Sequence, residues 1–320
     1  MPAPGRPWIT ANQVTLARLI PMPILSWLIY KGGSQGFEDN PYMWSALIAG
    51  TLIGFTDWID GMIARKYGPT VLGGLLDPIA DKVFVALAYM PFADPGLARL
   101  PDGTWVSLVP AWACALMFVR EFFVTGLRSA YELRNLTLKT SYLAKVKTWT
   151  QMQGIGMMLL VPLVNNPRFI FWLLTIGAVL PMVLFVIFWI TKKRVWPGAF
   201  VMTGSFVGML AVHLYDQAYG TNITIPAIMI GIVAITWISA FDYIAVGWKQ
   251  LRGRGDFSRA DAVRLVGSIT IPTLLFAVLV ETPAPRWPLF LIISFELAVG
   301  GLDNLLSHHK VATKALAWGG

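Results

Sequence analysis

Cysteine and histidine are nearly absent from this chain, which has one cysteine and three histidines in 320 residues. A single cysteine, Cys114, excludes an internal disulfide and any thiolate metal cluster, and in its apolar stretch it is expected to pack as a small hydrophobe. Charged residues are scarce as well, at 13%, whereas hydrophobic residues make up 56%. This balance excludes an ordinary soluble globular domain.

Long apolar stretches take up most of the chain. They are roughly 16–24 residues long, and most are long enough to cross a bilayer as helices. About ten such spans are predicted, at 13–30, 42–65, 78–93, 106–129, 142–164, 169–190, 200–215, 223–246, 262–280 and 287–306. The sequence therefore predicts an all-α, polytopic membrane helix bundle.

The basic residues predict the orientation of this bundle. With the N-terminus placed in the cytoplasm, all but four of the 25 basic residues fall on or near the cytoplasmic side, the exceptions being Lys31, Arg99, Arg168 and Arg286. The positive-inside rule then predicts a multi-pass protein of the cell (inner) membrane with both termini in the cytoplasm. The net charge of +8 favours anionic lipid headgroups and phosphorylated substrates, and no basic stripe on a soluble face suggests nucleic acid.

Four aspartates lie within the second and third spans or at their cytoplasmic ends. Asp57 and Asp60 share one helix face, and Asp77 and Asp81 form a second stripe at i, i+4. Each charge at membrane depth costs roughly 2.5–3.5 kcal/mol, so a functional ion site is the default interpretation. Hard divalent cations relieve the mutual repulsion of the carboxylates most directly. The alternative is that they only cap helices, with Asp77 as an N-cap before Pro78.

The same residues resemble the signature of a known family. The pattern D-x2-D-G-x2-A-R, seven residues, then G-x3-D-x3-D is similar to that of the CDP-alcohol phosphotransferases, also called CDP-alcohol phosphatidyltransferases, which are membrane enzymes that make phospholipids. The resemblance implies transfer from CDP-diacylglycerol to an alcohol with release of CMP, dependent on two divalent cations, Mg2+ or Mn2+. It implies Asp81 as the catalytic base that removes the hydroxyl proton. The implied metal ligands are Asp57, Asp60, Asp77 and Asp81.

The resemblance also implies a set of positions for the CDP group. These are Asn12, Thr15, Gly61, Ala64, Arg65 and Gly73. Asn12 and Thr15 belong to an N-x-x-T-x-x-R pattern near the N-terminus that ends at Arg18. Two of the positions have an alternative interpretation, because Asn12 can be an N-cap and Arg65 a cation at a helix end.

Basic residues in the fourth and fifth spans predict the acceptor site. These stretches resemble the phosphatidylglycerophosphate synthase branch of the family, which implies glycerol 3-phosphate as the acceptor. A dianionic phosphate calls for several Arg and Lys donors. The residues implied are Arg120, Arg128, Lys145 and Lys147, and their alternative role is as positive-inside residues near the cytoplasmic surface.

Two segments are predicted. Residues 1–194 form a catalytic membrane domain whose six-helix core surrounds a polar cavity facing the cytoplasm, and residues 195–320 form an additional membrane-helix region of unknown role. The resemblance implies a homodimer. Two alternatives remain open: the same fold and donor with phosphatidylglycerol, serine or an inositol phosphate as acceptor, and a divalent-cation transporter.

Overall fold

The computed structural model of the chain describes residues 10–68, 71–99, 103–132, 134, 142–193, 195–254, 258–282 and 286–308. These residues form eleven helices and one short β-hairpin, which confirms the all-α prediction. In chain order the elements are α1 (Ala11–Leu19), α2 (Pro21–Gln35), α3 (Pro41–Tyr67), α4 (Val71–Ala93), β1 (Ala98–Arg99), β2 (Trp105–Val106), α5 (Ala111–Glu132), α6 (Tyr142–Val164), α7 (Pro167–Lys192), α8 (Gly198–Tyr219), α9 (Thr224–Arg254), α10 (Arg259–Glu281) and α11 (Arg286–His308).

Local sequence signals set where several helices begin. Asn40 caps α3, because its side chain accepts a hydrogen bond from the backbone N–H of Tyr42 at 2.8 Å. Asn166 caps α7 in the same way. A proline follows each cap, where the missing N–H costs nothing because the first turn has no intrahelical acceptor for it.

α1 and α2 form one rod with a defect. Ile20, which separates them, keeps helical backbone angles (φ −65°, ψ −47°). Pro21 and Pro23 have no N–H to donate, so the hydrogen-bond ladder is interrupted here although the helical path continues. Residues Asn12–Gln35 together are long and apolar enough to cross a membrane.

With α1 and α2 taken together, the ten predicted spans each correspond to a helical rod. Six of these rods, within the described residues, are long and apolar enough to cross a membrane. α4, α5, α6 and α11 are not among the six, and α4, α5 and α6 carry acidic and basic side chains in the halves predicted to face the cytoplasm. The polar residues of the bundle are thus concentrated on a few helices.

The start of the fourth predicted span is wrong. α5 begins at Ala111 rather than at 106, because Val106 belongs to β2, which pairs antiparallel with β1. The backbone N–H groups of Leu108 and Val109 both donate to the carbonyl of Phe92, at 2.9 and 3.1 Å. The apolar residues of this connection therefore form a hairpin and a loop that lie against the end of α4. Hydropathy alone does not distinguish such residues from the first turns of a helix.

α4 is the central helix of the bundle. Every residue from Phe84 to Ala93 is buried. The helix packs against α1, α2, α5, α6 and α11. A helix that is apolar on all sides needs neighbours on all sides, and here the last helix of the chain covers one of its faces.

The region after residue 195 packs directly on the first part of the chain. α9 lies against α5 and α6, α10 against α5, and α11 against α4 and α5, while α8 pairs mainly with α7. Ion pairs join the two parts at both ends: Arg134 to Asp261 at 2.5 Å, and Arg286 to Asp94 at 3.0 Å. The predicted boundary at 194/195 falls between α7 and α8 and stays a prediction, but the helices beyond it share the core of the bundle.

Gly154 is the point of closest approach between α6 and α9. A β-carbon at this position would lie 2.2 Å from Ile232 Cδ1 and 2.6 Å from the Tyr89 hydroxyl. Both neighbours are buried, and Tyr89 is held by a hydrogen bond to the Gln151 carbonyl at 2.6 Å. We expect Gly154→Ala to destabilise the protein by about 1–3 kcal/mol through overpacking, measured as a lower midpoint of thermal unfolding in detergent.

The matched control for this change is Gly156→Ala on the same helix. A β-carbon at 156 would meet nothing within 4 Å. Its expected effect is neutral or slightly stabilising, because alanine restricts the unfolded chain more than glycine does. Equal unfolding midpoints for the two variants would contradict the packing described for Gly154.

Candidate active site

The four aspartates of the acidic motif converge between the end of α3 and the start of α4. α3 is capped by Gly68, whose φ of +98° favours glycine and whose N–H donates to the Ala64 carbonyl at 3.0 Å. The chain turns there, and α4 starts three residues later. α1 packs against both helices, and its Thr15 lies between Asp60 of α3 and Asp77 of α4, so the two acidic stripes meet as predicted.

One guanidinium lies among all four carboxylates. Arg18 of α1 donates from Nη1 to Asp57, and the same Nη1 lies 3.7 Å from Asp60. Its Nη2 lies 3.8 Å from Asp77 and 3.4 Å from Asp81. Arg18 is the last residue of the N-x-x-T-x-x-R pattern, and its position shows that α1 completes the acidic cluster.

Thr15 lies one turn before Arg18 on α1 and joins the same cluster. Its hydroxyl oxygen is 2.9 Å from a carboxylate oxygen of Asp60 and 2.9 Å from one of Asp77. A hydroxyl carries one proton, so it donates to one of these oxygens at a time. Thr15 thereby links α3 to α4 through α1.

Exposure separates the four carboxylates into two groups. The Asp60 side chain is only 3% exposed, whereas those of Asp57, Asp77 and Asp81 are 40–47% exposed. Asp57 and Asp81 line a cavity of about 850 Å³ that opens beside the cluster. Asp60 is thus the packed member of the set, and Asp57 and Asp81 face the space that a ligand can enter.

The donor set of this cluster fits divalent cations. Four carboxylates with one neighbouring guanidinium leave an excess of negative charge, and carboxylate oxygens are the ligands that Mg2+ and Mn2+ prefer. No group of three acidic, histidine or cysteine side chains in the described part of the chain is gathered into a metal-coordination shell. The Arg18 guanidinium lies between the carboxylates, where it balances part of their charge.

The other positions implied for CDP lie around this cluster with different degrees of exposure. Asn12 is in the first turn of α1. Gly61 lies next to the Arg65 head group, since a β-carbon at 61 would lie 3.3 Å from Arg65 Nη1. Ala64 is half-buried and Arg65 exposed at the end of α3. The surroundings of Gly73 in the first turn of α4 lie outside the described residues.

A basic cluster lines the same cavity. It consists of five cationic side chains and one carboxylate, from α4, α5 and α6: Lys82, Arg120, Glu121, Arg128, Lys145 and Lys147. All four residues predicted for the acceptor phosphate are therefore brought together. The cavity has an acidic end at Asp57 and Asp81 and a basic wall, and the adjacent residues Asp81 and Lys82 both line it.

Glu121 is the counter-charge within the basic cluster. Its Oε1 accepts from Lys147 Nζ at 2.6 Å and from Arg120 Nη1 at 3.3 Å. Gln151 Nε2 lies 3.4 Å from the same oxygen. Because Glu121 is buried, its single negative charge compensates cations that water cannot screen.

Besides Glu121, sequence reasoning missed Lys82, Thr125 and Tyr243, which also line this wall. Lys82 donates to Thr125 Oγ1 at 2.8 Å, and Tyr243 of α9 accepts from Arg128 Nη2 at 3.0 Å. Lys82 had a signal, since it is a cation inside an apolar stretch directly after Asp81. Thr125 and Tyr243 had none, because a threonine or tyrosine in an apolar helix is common and its partners come from distant parts of the chain.

This all-α membrane bundle has a cavity that is acidic at one end and basic along one wall. Such a cavity suits ligands that contain phosphate, because the basic wall can bind phosphate directly and the acidic end can bind it through metal cations. Comparison with known proteins agrees with this class: the model of the CDP-alcohol phosphatidyltransferase family matches residues 8–184. The chain belongs to that family, as the motif predicted. The match runs from the N-terminal segment into α7, so α8 to α11 lie beyond it.

Curated relatives cover the same part of the chain. "Probable phosphatidylglycerophosphate synthase" of Mycobacterium tuberculosis (strain H37Rv) is 35% identical over 151 residues, 47% of this chain and 65% of the relative. "CDP-diacylglycerol--glycerol-3-phosphate 3-phosphatidyltransferase" of Bacillus subtilis (strain 168) is 33% identical over 159 residues, 47% of this chain and 75% of the relative. The protein of that name from Yersinia enterocolitica is 32% identical over 179 residues, 54% of this chain and 86% of the relative.

The chain thus spans just under two thirds of the length of the mycobacterial relative. The relatives carry the names of the branch that the stretches around Arg120 and Lys145 resemble. No solved structure gives a significant match.

Proposed function

We propose that this protein transfers the phosphatidyl group of CDP-diacylglycerol to glycerol 3-phosphate, releasing CMP. The observation that carries the proposal is that one cavity has carboxylates at one end and a cluster of cations along its wall. The names of the relatives support the same reaction. A divalent-cation transporter is not supported, since the family assignment and the basic wall both favour binding of phosphates.

The acidic end is where the diphosphate of the donor lipid binds. Asp57, Asp60, Asp77 and Asp81 would hold two divalent cations, Mg2+ or Mn2+. Cations held there would neutralise phosphate oxygens and ease the departure of CMP. Thr15 and Arg18 keep the carboxylates of α3 and α4 together from α1, and Arg18 supplies a positive charge beside the diphosphate.

The remaining CDP positions bind the nucleotide part of the donor. Asn12 contributes from the start of α1, and Gly61, Ala64, Arg65 and Gly73 contribute from the ends of α3 and α4.

The basic wall binds the phosphate of the acceptor. Arg120, Arg128, Lys145 and Lys147 supply charge-assisted hydrogen bonds to a dianion, which a neutral acceptor would not use. The acceptor hydroxyl oxygen then forms a bond to the phosphatidyl phosphorus while the bond from that phosphorus to the CMP oxygen breaks. Asp81, which faces the cavity, takes the hydroxyl proton, and CMP leaves with the electron pair of the broken bond.

The proposed setting is the cell (inner) membrane, with both termini and the mouth of the cavity on the cytoplasmic side. Two ion pairs fit the predicted topology. Arg134–Asp261 joins two connections predicted to be cytoplasmic, and Arg286–Asp94 joins elements at the opposite end of the bundle. We also propose a homodimer, as the family resemblance implies.

The experiment that tests the reaction is an acceptor screen on the purified protein. CDP-diacylglycerol and Mg2+ are incubated with radiolabelled glycerol 3-phosphate, serine, an inositol phosphate or phosphatidylglycerol. We expect equal amounts of CMP and labelled lipid with glycerol 3-phosphate, and loss of both on chelation of the metal. CMP release with none of the acceptors, or only with an acceptor other than glycerol 3-phosphate, would contradict the proposal.

Removing the charge of Arg128 is expected to weaken acceptor binding selectively. Arg128 lines the cavity, and among the described residues its buried Nε–H has no hydrogen-bond acceptor. A hydrogen bond to a charged group contributes about 1.5–3 kcal/mol, so Arg128→Gln should raise the KM for glycerol 3-phosphate about 10- to 100-fold. The KM for CDP-diacylglycerol should stay nearly unchanged in steady-state assays.

Lys192→Gln is the matched control for Arg128→Gln, because Lys192 is also a predicted cytoplasmic-side cation but lies outside the cavity. Its acceptor KM should equal that of the unmodified protein. A similar rise in both variants would mean that the basic residues act through general surface charge.

A further inference from the structure

α9 belongs to the region beyond the family match, yet it packs into the groove between α5 and α6. The contact is close enough that Gly154 of α6 has no room for a side chain. α9 also runs alongside α5 in the same direction, because contacts advance together along both helices, from Arg120 with Thr236 to Arg128 with Tyr243. The region after residue 195 therefore supplies a wall directly behind the basic cluster.

Arg120 is held mainly by α9. Its Nε donates to the Thr236 carbonyl at 3.0 Å and its Nη2 to Ser239 Oγ at 2.6 Å. Its Nη1 donates to Glu121 at 3.3 Å. A guanidinium has five N–H donors, so these contacts fix its plane and leave two donors for a ligand in the cavity that Arg120 lines.

Arg128 is held by the next turn of α9. Its Nη2 donates to the Tyr243 hydroxyl at 3.0 Å, and its guanidinium lies 5.1 Å from the centre of the Tyr243 ring. Tyr243 is 3% exposed and lines the cavity. Ser239 and Tyr243 are four residues apart on α9, and Arg120 and Arg128 eight apart on α5, so each pair occupies one helix face and the two faces meet.

From this geometry we infer that α9 is part of the acceptor site, with Ser239 and Tyr243 as positioning residues that orient Arg120 and Arg128 toward the phosphate of the acceptor. The identity of the acceptor rests on the proposed function. The binding of a phosphate by Arg120 and Arg128 does not depend on it and can be measured separately. A role for the region after residue 195 follows: its α9 orients two guanidinium groups that α5 alone leaves without these partners.

Two conservative variants test this inference by two independent measurements. Tyr243→Phe keeps the ring but removes the hydroxyl, and Ser239→Ala removes the hydroxyl that binds Arg120. In the first measurement, inorganic phosphate is titrated and the rise of the thermal unfolding midpoint in detergent is recorded. We expect phosphate to stabilise the unmodified protein and each variant to need about tenfold more phosphate for the same rise.

The second measurement is steady-state kinetics with CDP-diacylglycerol and glycerol 3-phosphate. Each variant should show an acceptor KM raised about tenfold, with the KM for CDP-diacylglycerol and kcat changed less than about twofold. Trp237→Phe is the matched control. Trp237 lies on α9 and donates to the Leu116 carbonyl of α5 at 3.2 Å, whereas the hydrogen bonds of Arg120 and Arg128 to α9 go to Thr236, Ser239 and Tyr243, so the acceptor KM of Trp237→Phe should not change.

The outcomes separate the inference from the proposed function. If phosphate binding weakens in the two variants but no protein transfers to glycerol 3-phosphate, the inference stands and the proposed reaction fails. If the unmodified protein catalyses the reaction and the variants bind phosphate and acceptor normally, the inference is overturned and the reaction stands. An absence of phosphate stabilisation in the unmodified protein, or an equal KM rise in Trp237→Phe, also overturns the inference.

Discussion

Asp81→Asn is expected to lower kcat for CMP release by about 10²- to 10⁴-fold, the range by which a positioned general base accelerates proton transfer. Asparagine keeps the size of the side chain and one oxygen, but it cannot accept the hydroxyl proton. The fold should tolerate the change, because Asp81 is 40% exposed and Arg18 keeps its contacts with the other three carboxylates. The measurement is the initial rate of CMP release at saturating CDP-diacylglycerol and glycerol 3-phosphate.

Asp81 is proposed both as a metal ligand and as the base, so the Mg2+ dependence of the residual rate must be measured as well. Loss of a ligand raises the Mg2+ concentration needed for half the maximal rate, whereas loss of the base lowers the rate at saturating Mg2+. We expect both changes in Asp81→Asn, and only a moderate rate loss at saturating Mg2+ in Asp57→Asn. A residual rate that Mg2+ restores fully would show that Asp81 is a ligand only.

Asp39→Asn is the matched control for the aspartate substitutions. Asp39 lies in the connection between α2 and α3, where its φ of 45° suits asparagine as well as aspartate, and its Oδ1 accepts from Trp44 Nε1 at 2.9 Å. Asp39 lies at the N-terminal end of α3, whereas Asp57 and Asp60 of the acidic cluster lie toward its C-terminal end. The control should keep normal kcat and stability, which would exclude a general effect of removing a carboxylate.

Glu121→Gln is expected to destabilise the protein by about 3–5 kcal/mol, the cost of leaving buried cations without their counter-charge. Lys147 and Arg120 contact the carboxylate directly, and Lys82 lies within electrostatic range of it. Glutamine can still accept a hydrogen bond, but it supplies no negative charge. The measurement is the thermal unfolding midpoint of the purified protein in detergent.

An anion bound in the cavity should partly replace the missing charge. Phosphate is therefore expected to raise the unfolding midpoint of Glu121→Gln more than that of the unmodified protein. Glu281→Gln, an exposed glutamate at the end of α10, is the control and should leave both the midpoint and the phosphate effect unchanged. Equal phosphate effects in all three proteins would contradict the picture of Glu121 as the internal counter-charge of an anion site.

Membrane helices and their order were predictable because the bilayer imposes length and hydropathy on every span. The acidic motif was predictable for a related reason: an aspartate in an apolar stretch is costly, so four of them at helical spacing stand out. Arg120 stood out in the same way. The β-hairpin between α4 and α5 was not predictable, because the pattern of its apolar residues cannot be distinguished from the start of a helix.

The counter-charges of the site were beyond the reach of the sequence. Nothing in the spacing of the acidic motif indicates that the guanidinium of Arg18 lies within 4 Å of four carboxylates on two other helices. Nor does the sequence around Glu121 indicate that its carboxylate is the counter-charge of cations on α5 and α6. Ion pairs between helices depend on the rotation and approach of whole rods, which side-chain packing decides.

The amino-acid sequence by itself determined that this is an all-α membrane protein of the CDP-alcohol phosphatidyltransferase family, because hydropathy and motif spacing are local properties of the chain. Only the tertiary structure decided that the helices after residue 195 enclose the basic wall of the cavity. Tyr243 and Arg128 are 115 residues apart in the chain, and their contact exists because α9 fits the groove that Gly154 leaves open between α5 and α6.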